Sequence, residues 1–234
     1  MLSVICPIYN EAKYIDVCVQ SILLQDYPKQ QLEVLFVDGM SKDGTRDIVN
    51  NYSKQYPFIR LLNNEKRIVP VAMNIGIKAS IGDIVMRLDA HAQCPPNYFS
   101  VLVKELVRLR ADNVGVACKT DVLNKTSKTL AIREVLSNRF GVGNSTFRLG
   151  VDKVIEVDTV PFGCWKKDVF NKYGFYDERL IRNQDIELNK RIVRGGGHIF
   201  IVPDTYCTYL ARETFDGLAK NNFGNGKWNI LTVY

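Results

Sequence analysis

Residues 2–38, "LSVICPIYNEAKYIDVCVQSILLQDYPKQQLEVLFVD", decide the fold. "LSVICP" is a short apolar run that reads as a strand. Residues 11 to 24 then place Ile15, Cys18, Val19 and Ile22 at i, i+3, i+4 and i+7, one face of a helix. Asn10 is its expected N-cap. "LEVLFVD" is a second strand, ending at Asp38. The alternation continues. "GTRDIVNNYSKQY" gives a helix through Ile48, Val49 and Tyr52, and "FIRLLNN" a third strand. Residues 70 to 79 form a helix, and "DIVMRLD" a further strand. Such repeats build βαβ units and a mostly parallel sheet, so the expected class is α/β. Continuous apolar strands suit burial on both faces. Ligands of such sheets sit beyond the carboxyl ends of the strands. Pro7 to Glu11, Asp38 to Thr45 and Asp89 to His91 all fall there, so three separated segments are expected to line one crevice.

The second half is less regular. Pro95-Pro96 opens a helix with Phe99, Leu102, Val103 and Leu106 on one face. "VGVACK" reads as a strand, and residues 119 to 152 as a long loop with some helix. "VIEVDTVPFGCW" is a strand running into a turn. "RNQDIELNKRIVRGGGHIFIV" is a helix ended by glycines, then a strand. No repeat, low-complexity tract or linker interrupts the 234 residues, so a single domain, 1–234, is expected.

Hydrophobic residues make up 46% of the chain and charged ones 24%, an ordinary soluble balance able to fill a core. The net charge of +6 suits an acidic small molecule or an anionic membrane surface. No basic run with interleaved aromatics occurs, which speaks against nucleic acid as a partner. Cys6, Cys18, Cys94, Cys118, Cys164 and Cys207 form no CxxC pair and sit mostly in apolar segments. They are expected to be reduced, buried thiols of a cytoplasmic protein. "MLSVICPIYNEA" has no basic n-region, so no signal peptide is expected. No apolar run approaches the ~20 residues that span a bilayer.

Several phosphate and nucleophile devices are excluded. There is no GxxxxGK[ST], and no GxGxxG follows the first strand. GxSxG and HExxH are also missing. The simplest remaining device for a diphosphate is a divalent metal held by carboxylates. "RLDAHA", residues 87–92, then stands out: one of only two histidines follows Asp89 by two positions at a strand end.

"VICPIYNEAKYIDVCVQSIL", "VLFVDGMSKDGT", "IVMRLDAHA" and "RNQDIELNKRI" occur here in the order and spacing of family-two inverting glycosyltransferases of the GT-A fold, and the chain resembles that family over residues 1 to about 228. "RLDAHA", "VPFGCW" and "NQDIEL" are most similar to the bacterial exopolysaccharide, succinoglycan-type branch. The resemblance implies a nucleotide-sugar-binding half over about 1–93 and an acceptor and catalytic half over about 94–215. Residues 216–234 are then a membrane-interface or truncated segment. It implies a nucleotide-sugar donor, UDP-linked by expectation, and a glycan or lipid-linked acceptor. By the same resemblance Pro7, Tyr9 and Glu11 line the base and ribose pocket, and Asp38 accepts a hydrogen bond from the base. Asp89 faces ribose and metal as the first Asp of the family's DxD, and Asp185 is the catalytic base. Thr159, Pro161, Phe162 and Gly163 lie on the acceptor side. "GNGKW", with Lys227 and Trp228, is the counterpart of a basic-aromatic motif that contacts the diphosphate.

Two positions depart from the pattern. The family's "DDGS" reads "DGMS" here, so Gly39 replaces a carboxylate, and His91 replaces the second Asp of DxD. An unprotonated imidazole ligates divalent ions and favours Mn²⁺ over Mg²⁺. Alternatively, His91 meets phosphate directly, as a donor or an imidazolium. Asp185 also suits the start of a helix as a cap. Phe223, Lys227, Trp228 and Tyr234 suit a membrane interface, which points to peripheral placement on the inner face of the cell membrane. Two other classes stay open on the sequence: a sugar nucleotidyltransferase, and a relative that binds nucleotide sugar without turnover.

Overall fold

The computed structural model describes residues 1–142, 145–211 and 214–229. Its first half alternates as expected. Strand β1 (Leu2–Ile8) leads to helix α1 (Ile15–Leu23), β2 (Leu32–Asp38) to α2 (Thr45–Gln55), and β3 (Ile59–Asn63) to α3 (Val69–Ala79), before β4 (Ile84–Arg87). β1 pairs in parallel with both β2 and β4, and β2 with β3. Ile8 lies beside Asp38 and Ile5 beside Arg87, so the carboxyl ends of these strands share one edge.

The same sheet continues through the second half. β5 (Ala92–Gln93) is followed by α4 (Tyr98–Arg108), β6 (Asn113–Asp121), α5 (Ser127–Ser137), α6 (Arg139–Val142) and α7 (Thr146–Leu149). β7 (Ile155–Glu156), β8 (Cys164–Lys166), α8 (Val169–Tyr173), α9 (Gln184–Arg194), β9 (Ile199–Leu210) and α10 (Phe215–Asn229) complete it. The strand order is β3-β2-β1-β4-β8-β6-β9-β5, with β7 also on β9. The antiparallel pairings are short, two or three residue pairs each, whereas β6 runs parallel to β9 over a long register with one bulge after Val116.

Helices cover both faces, which is why the strands need no polar side. Val4 and Cys6 of β1 pack with Ile15, Cys18, Val19 and Ile22 of α1 and with Phe99 and Leu102 of α4. Ile5, on the opposite pleat, packs with Ala72, Met73 and Ile77 of α3. The predicted buried face of α1 is the observed one. Gly76 lets α3 approach closely, since a Cβ there would lie 2.4 Å from Ile5 Cγ2.

Several local readings are corrected. Tyr14, not Asn10, precedes α1 as N-cap. Asn10 instead takes a left-handed φ of 54° and accepts the Lys42 N–H at 3.0 Å. Residues 119–152 hold more helix than expected, because Thr126 and Thr129 form a capping box that starts α5. "VIEV" contributes only the two-residue β7, while "CWK" after the turn is the strand that enters the sheet centre. "GNGKW" lies inside α10 despite its glycines.

Candidate active site

The β1 and β2 loops are laced together by the side chains of "SKDGT". Asn10 N–H donates to Ser41 Oγ at 2.8 Å, Glu11 N–H to Thr45 Oγ1 at 2.8 Å, and Ala12 N–H to Asp43 Oδ2 at 3.0 Å. Burial is the largest single influence and opposes ionisation of Asp43, but the bonds from Thr45 and from backbone N–H groups together outweigh it and lower its pKa. The segment therefore fixes Tyr9 and Glu11 on the wall of an open cleft of about 490 Å³. Pro7, Gly39, Asn64 and Arg67 line the same cleft. Tyr9 is 47% exposed. Its ring lies on Gly39, where a Cβ would sit 3.0 Å from Tyr9 Cδ2. The carboxylate missing at position 39 thus leaves room for an aromatic platform.

Asp38 is placed differently from expectation. It has no exposed surface and does not line the cleft. A buried carboxylate needs partners, and Asp38 has them. It accepts from the Ser41 N–H at 3.0 Å and the Ser41 hydroxyl, and pairs with Arg46 at 2.6 Å. Arg46 also donates to Asn63 Oδ1 at 2.9 Å.

Arg87, Asp89 and His91 form the cleft floor, and Arg87 is a residue the sequence reading missed. It is only 7% exposed, yet its Nε and Nη2 grip both oxygens of Asp89 at 2.9 and 3.2 Å. Burial alone would lower its pKa, but the charges of Asp89 and Asp185 raise it further, so the guanidinium stays charged. His91 Nδ1 lies 3.4 Å from Glu11 Oε1, and the imidazole is flanked edge-on by Tyr14 and Tyr209. Burial pulls its pKa down; the bond to Glu11 and the charges of Asp89 and Glu11 outweigh this and raise it, with Arg87 opposing.

A second, larger cleft of about 1400 Å³ opens from the same floor, sharing Val69, Arg87, Asp89 and His91 with the first. Thr159, Pro161, Phe162 and Asp185 line it. The "TVPFG" turn is steep: Phe162 and Gly163 take φ of 62° and 96°. Gly163 does not face the cleft, but its carbonyl accepts the Arg87 N–H at 3.0 Å, and a Cβ there would strike the Trp165 ring at 2.4 Å. Asn189 of α9 donates to Thr159 Oγ1 and to the Val160 carbonyl, and accepts from Asn113 of β6 at 2.9 Å. This buried amide pair holds the turn against the helix that carries Asp185. Asn183 is the N-cap of α9; Asp185 is the second residue of the helix, two past the cap, half-buried and accepting the Ile186 N–H at 3.0 Å. Asp185 is thus not the cap. Lys227 and Trp228 line neither cleft.

Among the described residues, no three His, Cys, Asp or Glu side chains converge on a point fit to cage a metal. Asp89 and His91 do offer one oxygen and one nitrogen donor type on the floor shared by both clefts. That set would fit a divalent ion that accepts an imidazole nitrogen, as Mn²⁺ does more readily than Mg²⁺, and that takes its remaining ligands from phosphate oxygens and water.

A parallel half-sheet with a cleft at its strand ends, continued by a mixed half with a second cleft, is the GT-A architecture, and solved enzymes of that class share it. The structure of S. aureus TarS 1-349 in complex with UDP-GlcNAc aligns with TM-score 0.69 at 19% identity, over 93% of this chain and 60% of that one. A structure of GalNAc-T7 with UDP, GalNAc and Mn²⁺ aligns with TM-score 0.71 at 19% identity, over 91% and 44%. The chain belongs to glycosyl transferase family 2, whose model matches residues 3–174. Among curated relatives, the Rhizobium meliloti (strain 1021) succinoglycan biosynthesis protein ExoA is 29% identical over 96% of this chain and 67% of its own length. A Methanococcus voltae protein named "Dolichyl N-acetyl-alpha-D-glucosaminyl phosphate 3-beta-D-2,3-diacetamido-2,3-dideoxy-beta-D-glucuronosyltransferase" is 28% identical over 99% and 74%.

Proposed function

We propose that this transferase moves a sugar, with inversion, from a UDP-sugar to a glycan or lipid-linked acceptor in polysaccharide assembly. One observation carries the reading: two clefts meet on Arg87, Asp89 and His91, and a carboxylate, Asp185, lines the second but not the first. The nucleotide lies in the first cleft, against Pro7, Tyr9 and Glu11, with the ring of Tyr9 under the base. Its diphosphate lies over Asp89 and His91. Those two side chains would hold a divalent ion, Mn²⁺ by preference for the imidazole nitrogen. Such an ion, when bound, stabilises negative charge on the leaving diphosphate. Arg87 fixes the plane of Asp89 by its two-point grip.

The acceptor hydroxyl enters the second cleft between the "TVPFG" turn and α9. Asp185 takes its proton as the hydroxyl oxygen attacks the anomeric carbon from the face opposite the diphosphate. The relatives' names support the substrate classes: one acts in succinoglycan biosynthesis and one on a dolichyl-linked sugar phosphate. Lys227 and Trp228, on α10 and outside both clefts, are assigned to the membrane side rather than to the diphosphate. Tyr234 lies outside the described residues.

A thermal-shift panel of UDP, GDP and CDP, with and without Mn²⁺, tests the donor class. UDP at ~100 times its Kd should stabilise the fold by about 2.7 kcal/mol. A shift with GDP alone would overturn the UDP assignment.

A further inference from the structure

Asp38 was the expected reader of the base, but its carboxylate is enclosed by Ser41 and Arg46. The neighbouring strand offers a replacement. Asn64 follows β3, and its N–H donates to the Asp38 carbonyl at 2.8 Å, which sets it beside the buried aspartate. It is only 2% exposed and lines the cleft that carries Tyr9 and Gly39. Its Nδ2 donates to the Ile68 carbonyl at 3.0 Å. A carbonyl can face only the NH₂ end, so the amide orientation is fixed. The other end, Oδ1, is buried with no hydrogen-bond partner. Buried amide oxygens are normally satisfied, and one left open at a binding cleft requires an explanation.

We infer that Asn64 Oδ1 accepts the imide N3–H of the uracil base, making Asn64 a specificity-determining residue of the donor cleft. This rests on the UDP-sugar reading above. In a uridine nucleotide N3–H is the one ring N–H donor, flanked by two carbonyl oxygens, and a fixed lone acceptor matches it. Cytosine presents an N3 lone pair in that pose, so two acceptors would face each other. The turn from Asn64 to Arg67 supplies access. Arg67 lines the cleft in a left-handed conformation, φ 59°, and its N–H reaches the Asn64 carbonyl at 3.2 Å. Strained non-glycine conformations of this kind collect at sites that rearrange around ligands. Relaxing this turn uncovers the oxygen for the base, and the Arg67 guanidinium is placed to donate to a flanking carbonyl.

Calorimetry with UDP and with N3-methyl-UDP, which lacks the donor, tests this on wild type, Asn64→Ala and Asp38→Asn. Comparing two ligands on one protein removes any general loss of fold, and circular dichroism confirms folding. Wild type should prefer UDP by about 10-fold or more. Asn64→Ala should reduce that preference to about 2-fold, while Asp38→Asn should weaken both ligands alike and keep it. A preference that survives Asn64→Ala, or collapses in Asp38→Asn, overturns the assignment. Wild type that binds GDP or CDP but not UDP instead sinks the donor reading on which it rests.

Discussion

Asp185 is the residue on which the proposed chemistry turns. Asp185→Asn keeps the shape and still accepts the Ile186 N–H, but it cannot take a proton. Turnover should fall by about 100-fold or more with donor affinity nearly unchanged, as loss of a general base demands. Steady-state kinetics paired with donor calorimetry checks this; a joint collapse of affinity and fold would reduce Asp185 to a structural role. His91 makes a second residue-scale prediction. Its folded pKa is raised above the unfolded value of about 6.5. The stabilisation it gives is therefore full below that value and is lost as pH rises through the folded pKa. In EDTA-treated protein, His91→Gln should cost more stability at pH 6 than at pH 8.5, read by urea unfolding. An equal cost at both would show that the Glu11–His91 pair does not carry charge. The site residues legible in the sequence were those at strand ends, where an apolar run stops at a polar cluster. Arg87, Asn64 and Asn189 were not legible. A buried arginine at a strand end, or an asparagine on a polar stretch, leaves no periodic signal, and only the fold shows what it touches.

At the scale of elements, two contacts decide how the clefts are framed. Gly76 sets the distance of α3 from β1, and α3 carries Val69 and Ala72 of the cleft wall. Gly76→Ala places a methyl group against Ile5 and should destabilise the protein by about 1–3 kcal/mol, the usual cost of overpacking. Urea midpoints measure this, and an unchanged midpoint would mean that α3 shifts freely. Asn189→Leu removes the bonds to Thr159 and Val160 and leaves the Asn113 Nδ2 without its acceptor, while Asn113 Oδ1 keeps the Cys164 N–H. It should cost about 1–3 kcal/mol and lower turnover more than donor affinity, because the turn it holds lines the cleft proposed for the acceptor. Periodicity located α1, α2 and α4 well, since each buries one apolar stripe, whereas α3 is buried on nearly every side and was found by its apolar run. Periodicity failed over residues 119–152, where α6 and α7 are four residues each and bury no side chain fully. Elements that short lack a complete turn pattern and are set by tertiary contacts.

At the scale of the whole molecule, the clefts lie in a chain with no helix long and apolar enough to cross a membrane among the described residues. The helix α10 carries exposed Phe223 and Lys227. Peripheral binding to anionic liposomes is expected, with each lysine near the surface adding about 1 kcal/mol. Flotation should show salt-sensitive association that Lys227→Glu weakens; recovery of all protein in the dense fraction would remove the membrane from the account. The proposed reaction is sugar transfer from a nucleotide diphosphate donor. Its most direct measurement is the nucleotide product formed from a panel of UDP-sugars with Mn²⁺ and a lipid-linked or glycan acceptor fraction. Wild type should release UDP in an acceptor-dependent way, and Asp185→Asn at least about 100-fold less. Release of pyrophosphate in place of UDP, or UDP release equal in the two proteins, would contradict it.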